Sequence, residues 1–551
     1  MKTRVLFLAI WFLATANATA QSIEWVRTYN DYNATSPQGS FTYNATDPAG
    51  NIYTFGKFSD TNDFDASSAV FNLTAGNVTC SNYITKYDTN GNFLWAKTFG
   101  ATGTNGVDRP QAITVDALGN VYATGAFLST NDFDPGAAVL SLTPNVFFST
   151  NYDTMFVLKL DTNGNFVWAK NVAGIISKGL SIAVDSSSNV IASGFYNQSN
   201  AVLVKFNSAG TLLWQKEFAV GVNNSQFSRV AVDTNNNIAI TSNFSGTSDL
   251  DPGTTTFDVA SVSSSTDFFI VKLDPTGNFI FGKKIGSGFE DNILSIAIDS
   301  NSAIYINGTF TTTVDFDPDA GVFNLTPNAG PQGAALYYND GFILKLNSNG
   351  NFSWAKCVPS AVNLENPYDL QIDSNNNVYS FGAFQDIFNA PVDFDPNAGI
   401  FNLINGIGGS YYFLKLRQDG EFIWAFNGDS LGIRIDGLRS MAIAPNGALY
   451  LARTGYLLKI NQPTTLGLTN FDQPEIAVFP NPTAGTLNFK SLKNIINGSL
   501  KIISTTGQIV LEKQNISGVD LNLDVSNLSL GIYIIKITDG ETTFTDKFIK
   551  N

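Results

Sequence analysis

The chain contains no histidine among its 551 residues, and this absence excludes several kinds of site at once. A Ser-His-Asp or Cys-His nucleophile and an HExxH zinc site all need an imidazole. The two cysteines, Cys80 and Cys357, stand far apart and form no CxxC pair, so neither a disulfide scaffold nor a redox pair is available. A catalytic interpretation that uses carboxylates stays open, because that chemistry needs no histidine.

Charge is scarce and unbalanced. Charged residues make up 14% of the chain, with 31 Lys and Arg against 46 Asp and Glu, for a formal net charge of -15. This balance argues against nucleic acid or an anionic membrane as partners. Beyond the N-terminus, no apolar run approaches the roughly 20 residues that a bilayer-spanning helix needs, so no transmembrane segment is predicted.

The N-terminus has the pattern of a secretory signal peptide. Lys2 and Arg4 precede an apolar run at 5–13, and small residues follow up to Ala20. A membrane anchor is the competing interpretation, but this run is about half the length that a bilayer requires. We predict a signal peptide at residues 1–20.

Three short patterns recur in fixed order along the middle of the chain. The first, a polar turn followed by an apolar strand, starts at Asp47, Asp116, Asp185, Asp233, Asp299, Asp373 and Ala444. The second, an alternating strand with one lysine, carries Lys86, Lys159, Lys205, Lys272, Lys345, Lys415 and Lys459. The third, a strand built around an aromatic residue, centres on Trp95, Trp168, Trp214, Phe281, Trp354 and Trp424, with a seventh copy at Trp25 ahead of the first repeat.

Each repeat is typical of four antiparallel strands, the unit of a propeller blade. The pattern resembles the secreted β-propeller repeat families of bacteria. The predicted fold class is therefore all-β, with a seven-bladed β-propeller over residues 22–462 whose N-terminal strand closes blade seven and leaves no open edge. We interpret the tryptophans as packing between blades. The fold leaves function open, because propellers serve binding, scaffolding and catalysis alike.

Five of the seven repeats carry an acidic insertion between their second and third strands. The Asp-x-Asp pairs of these insertions are Asp63 and Asp65, Asp132 and Asp134, Asp249 and Asp251, Asp315 and Asp317, and Asp393 and Asp395, with Asp319 extending the fourth pair. Because the connection lies at the same place in every blade, we expect all five on one face of the disc, where a ligand would bind. Alternate residues of an extended segment point the same way, so each pair could offer oxygens to calcium, the one cofactor indicated.

Two other interpretations of these aspartates stay open. They could be solvated turns in which the carboxylates cap backbone amides, since the glycine and glutamate of a calcium loop are not at their places. Alternatively, two of them could form the carboxylate pair of a polysaccharide hydrolase or lyase, which needs no histidine. Nothing in the sequence selects two particular carboxylates, so the sequence favours binding over catalysis.

The end of the chain has a different composition. Residues 463–475 form a polar linker, and residues 476–551 contain seven short alternating stretches, which predict a small Ig-like β-sandwich. Three ordered motifs there resemble the type A sorting domain of the type IX secretion system. The motif residues are Pro480, Asn481, Pro482, Gly507, Gly531 and Tyr533. An unrelated Ig-like adhesion module is the alternative.

The resemblance implies passage across the outer membrane, with the type IX secretion machinery as a partner and a secreted or outer cell-surface location. Together with the repeats, it predicts a secreted or surface-exposed binding or adhesion protein. Its ligand would be an extracellular glycan or protein that the sequence does not name. The alternative function is an extracellular carboxylate-dependent polysaccharide hydrolase or lyase.

Overall fold

The structure is a computed structural model of the chain. It describes residues 22–28, 42–76, 80–101, 108–147, 150–172, 174, 177–197, 199–221, 228–327, 339–358, 367–384, 391–404, 410–431, 438–453, 455–462, 476–479, 483, 485–504, 508–539 and 542–550. The described residues form β-strands with two short 3-10 turns, Val262–Ser264 and Gly428–Leu431, which confirms the all-β class. No helix among them is long and apolar enough to cross a membrane. The predicted signal peptide and linker lie outside the described residues.

The chain divides into two units, Met1–Pro463 and Thr464–Asn551. In the first unit the described residues form seven antiparallel sheets, numbered one to seven, with four neighbouring strands a to d in each. Sheet one is extended to six strands by Asn131–Asp132 and Ser141–Leu142 from the acidic insertion of sheet two. Sheet one comprises Tyr43–Thr46, Ile52–Phe58, Ser81–Tyr87 and Phe93–Ala101. Sheet two comprises Asp108–Val115, Val121–Phe127, Thr154–Leu160 and Phe166–Asn171. Sheet three comprises Ser177–Val184, Val190–Tyr196, Asn200–Phe206 and Leu212–Ala219.

The remaining four sheets repeat this order. Sheet four comprises Arg229–Val232, Ile238–Phe244, Asp267–Leu273 and Phe279–Ile285. Sheet five comprises Asn292–Ile298, Ile304–Phe310, Asp340–Leu346 and Phe352–Val358. Sheet six comprises Asp369–Ile372, Val378–Phe384, Ser410–Leu416 and Phe422–Asn427. In sheet seven, strands a to c are Met441–Ile443, Leu449–Arg453 and Tyr456–Asn461, and strand d is Ser22–Thr28 from the beginning of the chain, antiparallel to strand c.

The hydrophobic core lies between neighbouring sheets. Strands b and c of sheet two are buried along their whole length because both of their faces pack against other sheets. Seven core clusters each join two sheets, and one of them joins sheet seven to sheet one. Strand a of each sheet contacts strand a of the next sheet, and the last contacts the first. This arrangement is a β-propeller-like fold.

The repeated turn aspartates and lysines connect these sheets. Asp233 accepts the backbone amides of Asn235 and Asn237 with Oδ1, and its Oδ2 lies 2.9 Å from Nζ of Lys272 on strand c. Lys272 Nζ also donates to the carbonyl of Ser348 in sheet five, at 3.1 Å. The same ion pair recurs in Asp47 with Lys86, Asp185 with Lys205, Asp299 with Lys345, and Asp373 with Lys415.

The repeated tryptophans make a second contact between sheets. Nε1 of Trp95 donates to the carbonyl of Thr162 in the following sheet, at 3.1 Å, and Trp168 donates in the same way to Ser208. Trp354 repeats this contact with Gln418. Each of these indoles therefore packs against the turn between strands c and d of the next sheet, where its N–H is satisfied.

The second unit has five described strands: Ile476–Phe479, Thr486–Ser504, Ile509–Asp524, Gly531–Asp539 and Thr542–Lys550. The prediction of seven short strands was wrong in number, because two pairs of predicted strands are continuous. Register shifts between Lys490 and Leu500 mark a bend in the longest strand. The half before the bend pairs with the first strand, and the half after it pairs with the fourth.

Candidate functional site

The five acidic insertions fold into hairpins of one design. Asp63 Oδ1 accepts the backbone amides of Asp65 and Phe71, at 3.0 and 2.8 Å. Asp65 in turn caps the amide of Ser67. Equivalent bonds form at Asp132 and Asp134, Asp249 and Asp251, Asp315 and Asp317, and Asp393 and Asp395. Both carboxylates of each pair therefore cap the backbone of their own hairpin.

The insertions lie along the outer strands of the sheets. Phe71 packs on Phe93 of strand d in its own sheet, with ring centroids 5.0 Å apart, and the insertions of sheets four, five and six repeat this contact. Asp319 of the fourth insertion pairs with Lys283 on strand d of the preceding sheet. Between the paired aspartates stands a buried apolar residue, such as Phe316, which is fully inaccessible.

The expectation that the insertions build a binding face stays a prediction. The connections leave equivalent ends of five sheets, and in four insertions an outer aromatic ring packs on strand d of its own sheet. The buried ring of Phe316 packs instead on Phe310 and Phe342 of strands b and c. No three His, Cys, Asp or Glu side chains of the described residues come together in a way that could hold a metal ion. Calcium binding at these hairpins stays a prediction.

A different site lies where the seven a strands meet. A cavity of about 220 Å³ is lined from all seven sheets. Its wall includes the fourth residue before the repeated turn in each sheet, namely Tyr43, Ala112, Ser181, Arg229, Ser295, Asp369 and Ser440. The neighbouring positions add Gln111, Tyr368 and Arg439. The amino-acid sequence does not mark this site, because the residue type at this position varies among the repeats.

The guanidinium of Arg229 is held by two carbonyl groups. Its Nε donates to the carbonyl of Leu294 at 2.8 Å, and its Nη1 donates to the carbonyl of Ser228 at 3.0 Å. Within the described parts of the chain, no carboxylate oxygen lies within 4.0 Å of its guanidinium. Burial lowers the pKa of Arg229, an effect that Tyr43 and Asp369 partly oppose. The guanidinium is therefore fixed in orientation by neutral groups alone.

Two tyrosines accompany the arginines. The guanidinium carbon of Arg439 lies 4.2 Å from the ring centroid of Tyr368, a cation–π distance. The Tyr43 hydroxyl donates to Gln111 at 3.3 Å. Burial raises the pKa of Tyr43 to about 12, and the charges of Arg229 and Arg439 partly oppose this shift. Tyr43 therefore stays neutral at physiological pH.

Asp369 is the single carboxylate among the described residues of the cavity wall. It accepts the amides of Leu370 and Met441 at 2.8 and 2.9 Å, and the hydroxyl of Ser295 lies 3.2 Å from Oδ1. Burial raises its pKa to about 6, and these hydrogen bonds partly oppose that shift. The carboxylate thus connects sheets five, six and seven through neutral donors.

The sorting motif is only partly described. Gly531 begins the fourth strand of the second unit, and the hydroxyl of Tyr533 donates to the carbonyl of Ser529 at 2.9 Å. The ring of Tyr533 stacks on Phe548 in the next strand, with centroids 5.6 Å apart. The other motif residues, Pro480, Asn481, Pro482 and Gly507, lie outside the described residues.

Residues 477–551 match the family model described as the secretion system C-terminal sorting domain. This match confirms the identification made from the motifs. A sorting domain of this kind implies secretion, with the type IX machinery as a partner and a secreted or cell-surface destination.

The chain is similar to proteins of several kinds. It is 27% identical over 188 residues to an uncharacterized WD repeat-containing protein, L264, of Acanthamoeba polyphaga mimivirus; the match covers 31% of this chain and 13% of the relative's length. The structure of streptogramin B lyase superposes with a TM-score of 0.38 at 11% identity, covering 79% of this chain and 98% of that one. The WD40 β-propeller domain of Doa1 gives a TM-score of 0.28 at 8% identity, covering 67% and 98%.

Proposed function

We propose that the protein is a secreted or cell-surface binding protein built on a closed seven-bladed β-propeller. The cyclic contacts of the a strands and the pairing of Ser22–Thr28 with the last sheet support closure. In this proposal, residues 1–20 direct export from the cytoplasm. Residues 476–551, an Ig-like sandwich, then direct passage through the type IX secretion system.

The central cavity carries the proposal of binding. The wall of this cavity presents two guanidinium groups, two phenol rings and amide side chains from different sheets. Concave sites with a few convergent polar groups are the usual places for ligands. We propose that an extracellular glycan or protein places a small group in this cavity.

Binding of the full chain to a glycan array, with and without calcium, tests this function. The matched variants are Ala112→Trp, which fills the cavity from sheet two, and Val70→Trp, at a position that is 69% exposed on an insertion hairpin. We expect A112W to abolish binding and V70W to retain it. The reverse outcome would assign binding to the insertions and reject the cavity.

The alternative function, a polysaccharide hydrolase or lyase, depends on two carboxylates in one pocket. The described wall of the cavity contributes one, Asp369, and its oxygens are occupied by amides and a hydroxyl. No observation at this site favours the two-carboxylate chemistry, so binding remains the proposal.

A further inference from the structure

We propose that the central cavity binds the carboxylate group of a sugar acid, and that Arg229 and Arg439 hold that group. This inference rests on the proposed binding function and names its ligand class. The acid could arrive as a free monosaccharide or as the terminal residue of a glycan, and both present the same group to the arginines.

The placement of charge points to an anionic ligand. The chain has a formal net charge of -15, yet the described cavity wall carries two arginines and one carboxylate. A guanidinium that leaves bulk water is costly unless an anion pairs with it. The hydrogen-bond partners of Arg229 are carbonyl groups. The oxygens of Asp369 accept hydrogen bonds from neutral donors in three sheets. A ligand carboxylate would add the direct ion pair that Arg229 lacks among the described residues.

The geometry of Arg229 favours a carboxylate over a point-like anion. Two of its nitrogens donate to the carbonyls of Ser228, just before strand a of sheet four, and Leu294 of sheet five, so the plane of the guanidinium is set before a ligand arrives. The third nitrogen, Nη2, has no partner in the described parts of the protein. A planar, oriented guanidinium recognises carboxylates well, and little side-chain entropy is lost on binding.

The size and the rings of the cavity point to an organic acid of the dimensions of one sugar. Its volume of about 220 Å³ is below that of typical pockets for drug-sized ligands, roughly 300–1,000 Å³. Tyr43 and Tyr368 supply aromatic surface for the carbon skeleton, and Gln111 and Gln371 supply amides for hydroxyl groups.

Isothermal titration calorimetry on the full chain tests the inference. The probes are glucuronate and galacturonate, with glucose as the neutral counterpart of the same size, and a short oligogalacturonate distinguishes a glycan end from a free acid. We expect the acids to bind and glucose to bind at least about 10-fold more weakly, the ratio set by a charge-assisted hydrogen bond. Equal affinity for glucuronate and glucose would overturn the inference.

Variants of the two arginines distinguish their direct contribution to uronate binding from general effects of substitution on the protein. Arg229→Gln and Arg439→Gln should each weaken uronate binding by about 10- to 100-fold, whereas Arg229→Lys, which keeps the charge, should lose less than R229Q. Arg453→Gln is the matched control, because Arg453 also lies over an aromatic ring, that of Tyr456, but outside the cavity. Unchanged binding in R229Q would refute the role of Arg229.

Two further measurements distinguish failure of the proposed ligand class from failure of the proposed binding function. If R229Q does not fold, the melting temperature of the wild-type chain still decides, since a uronate that binds only the native state must raise it. If neutral glycans bind the wild type but not A112W, the cavity is the binding site but its ligand is not a sugar acid. If A112W changes the binding of no probe, the proposed function itself fails.

Discussion

Replacement of Lys272 by methionine should be among the most destabilising single changes in the repeats. Lys272 lies 2.9 Å from Asp233, and the side chains of the two residues are only 4% and 0% exposed. Methionine keeps the apolar stem but removes the ammonium group, so Asp233 would be left as a buried charge without its cation. Lys272 also holds the carbonyl of Ser348 in the next sheet, and that bond would be lost as well.

The seventh sheet offers a matched control for this change. There the turn residue is Ala444 instead of aspartate, and the equivalent lysine, Lys459, pairs with Glu24, whose side chain is 39% exposed. Breaking a buried pair by removing one partner costs about 3–5 kcal/mol, while an exposed pair contributes about 0–1 kcal/mol. We therefore expect Lys272→Met to lose about 3 kcal/mol more than Lys459→Met.

Urea unfolding followed by tryptophan fluorescence measures the difference. The segment 464–551 contains no tryptophan, so the signal reports on the repeats alone. The double variant with Asp233→Asn should recover most of the loss, because it removes the unpaired charge. Equal losses in the two lysine variants, or a loss below about 1 kcal/mol in K272M, would refute this account of the buried pairs.

The pH dependence of the free energy of unfolding is a second test of the same ion pair. Burial favours the neutral acid, but hydrogen bonds from Lys272 and Asn237 outweigh it, so the pKa of Asp233 is lowered. In the wild type this carboxylate stabilises the fold above its unfolded pKa, and that contribution is lost as the pH falls through the folded value. In K272M burial dominates, so the deficit should shrink as the pH falls from about 7 to about 5, when protonation neutralises Asp233.

Three other outcomes are expected. Asp315→Ala should lower the free energy of unfolding by about 1–2 kcal/mol, and Asp315→Asn by less, because asparagine keeps an acceptor for the two capped amides. Neither loss should depend on calcium. A melting temperature that rises with calcium in the wild type but not in D315N would instead establish a cation site. Because the pKa of Asp369 is raised to about 6, ionisation of this group destabilises the folded state as the pH rises from about 4 to about 6. The free energy of unfolding of Asp369→Asn, measured in urea, should therefore increase relative to that of the wild type by about 2–3 kcal/mol over this range. Deletion of Ser22–Thr28 should expose the edge of sheet seven, and size-exclusion chromatography should then show aggregation, whereas a monodisperse deletion variant would contradict the closing role of this strand.

Features that depend on neighbouring residues could be predicted from the sequence. In the turn that starts at Asp88, one carboxylate oxygen accepts the amides of Asn90 and Asn92, both at 2.8 Å. All of these groups lie within five consecutive positions, so the pattern of residue types is sufficient to predict the turn. The sorting domain could be recognised for the same reason, because its motifs are short and ordered.

The role of the acidic insertions could be predicted only in part. Capping of nearby amides by the paired aspartates was one of the interpretations that the sequence left open, and it follows from local chemistry. The position of the hairpins did not follow, because it is set by contacts between distant segments. Phe71 and Phe93 are 22 positions apart, and Asp319 meets Lys283 of another sheet.

The central cavity is the feature that only the tertiary structure decided. Arg229, Asp369 and Arg439 stand in three different repeats, far apart along the chain. The sequence by itself determined the repeats, their strands and turns, and the sorting signal, since each depends on residues that are close together along the chain. It could not show that one residue from every repeat faces a common cavity, because that proximity arises only when the seven a strands contact one another in cyclic order.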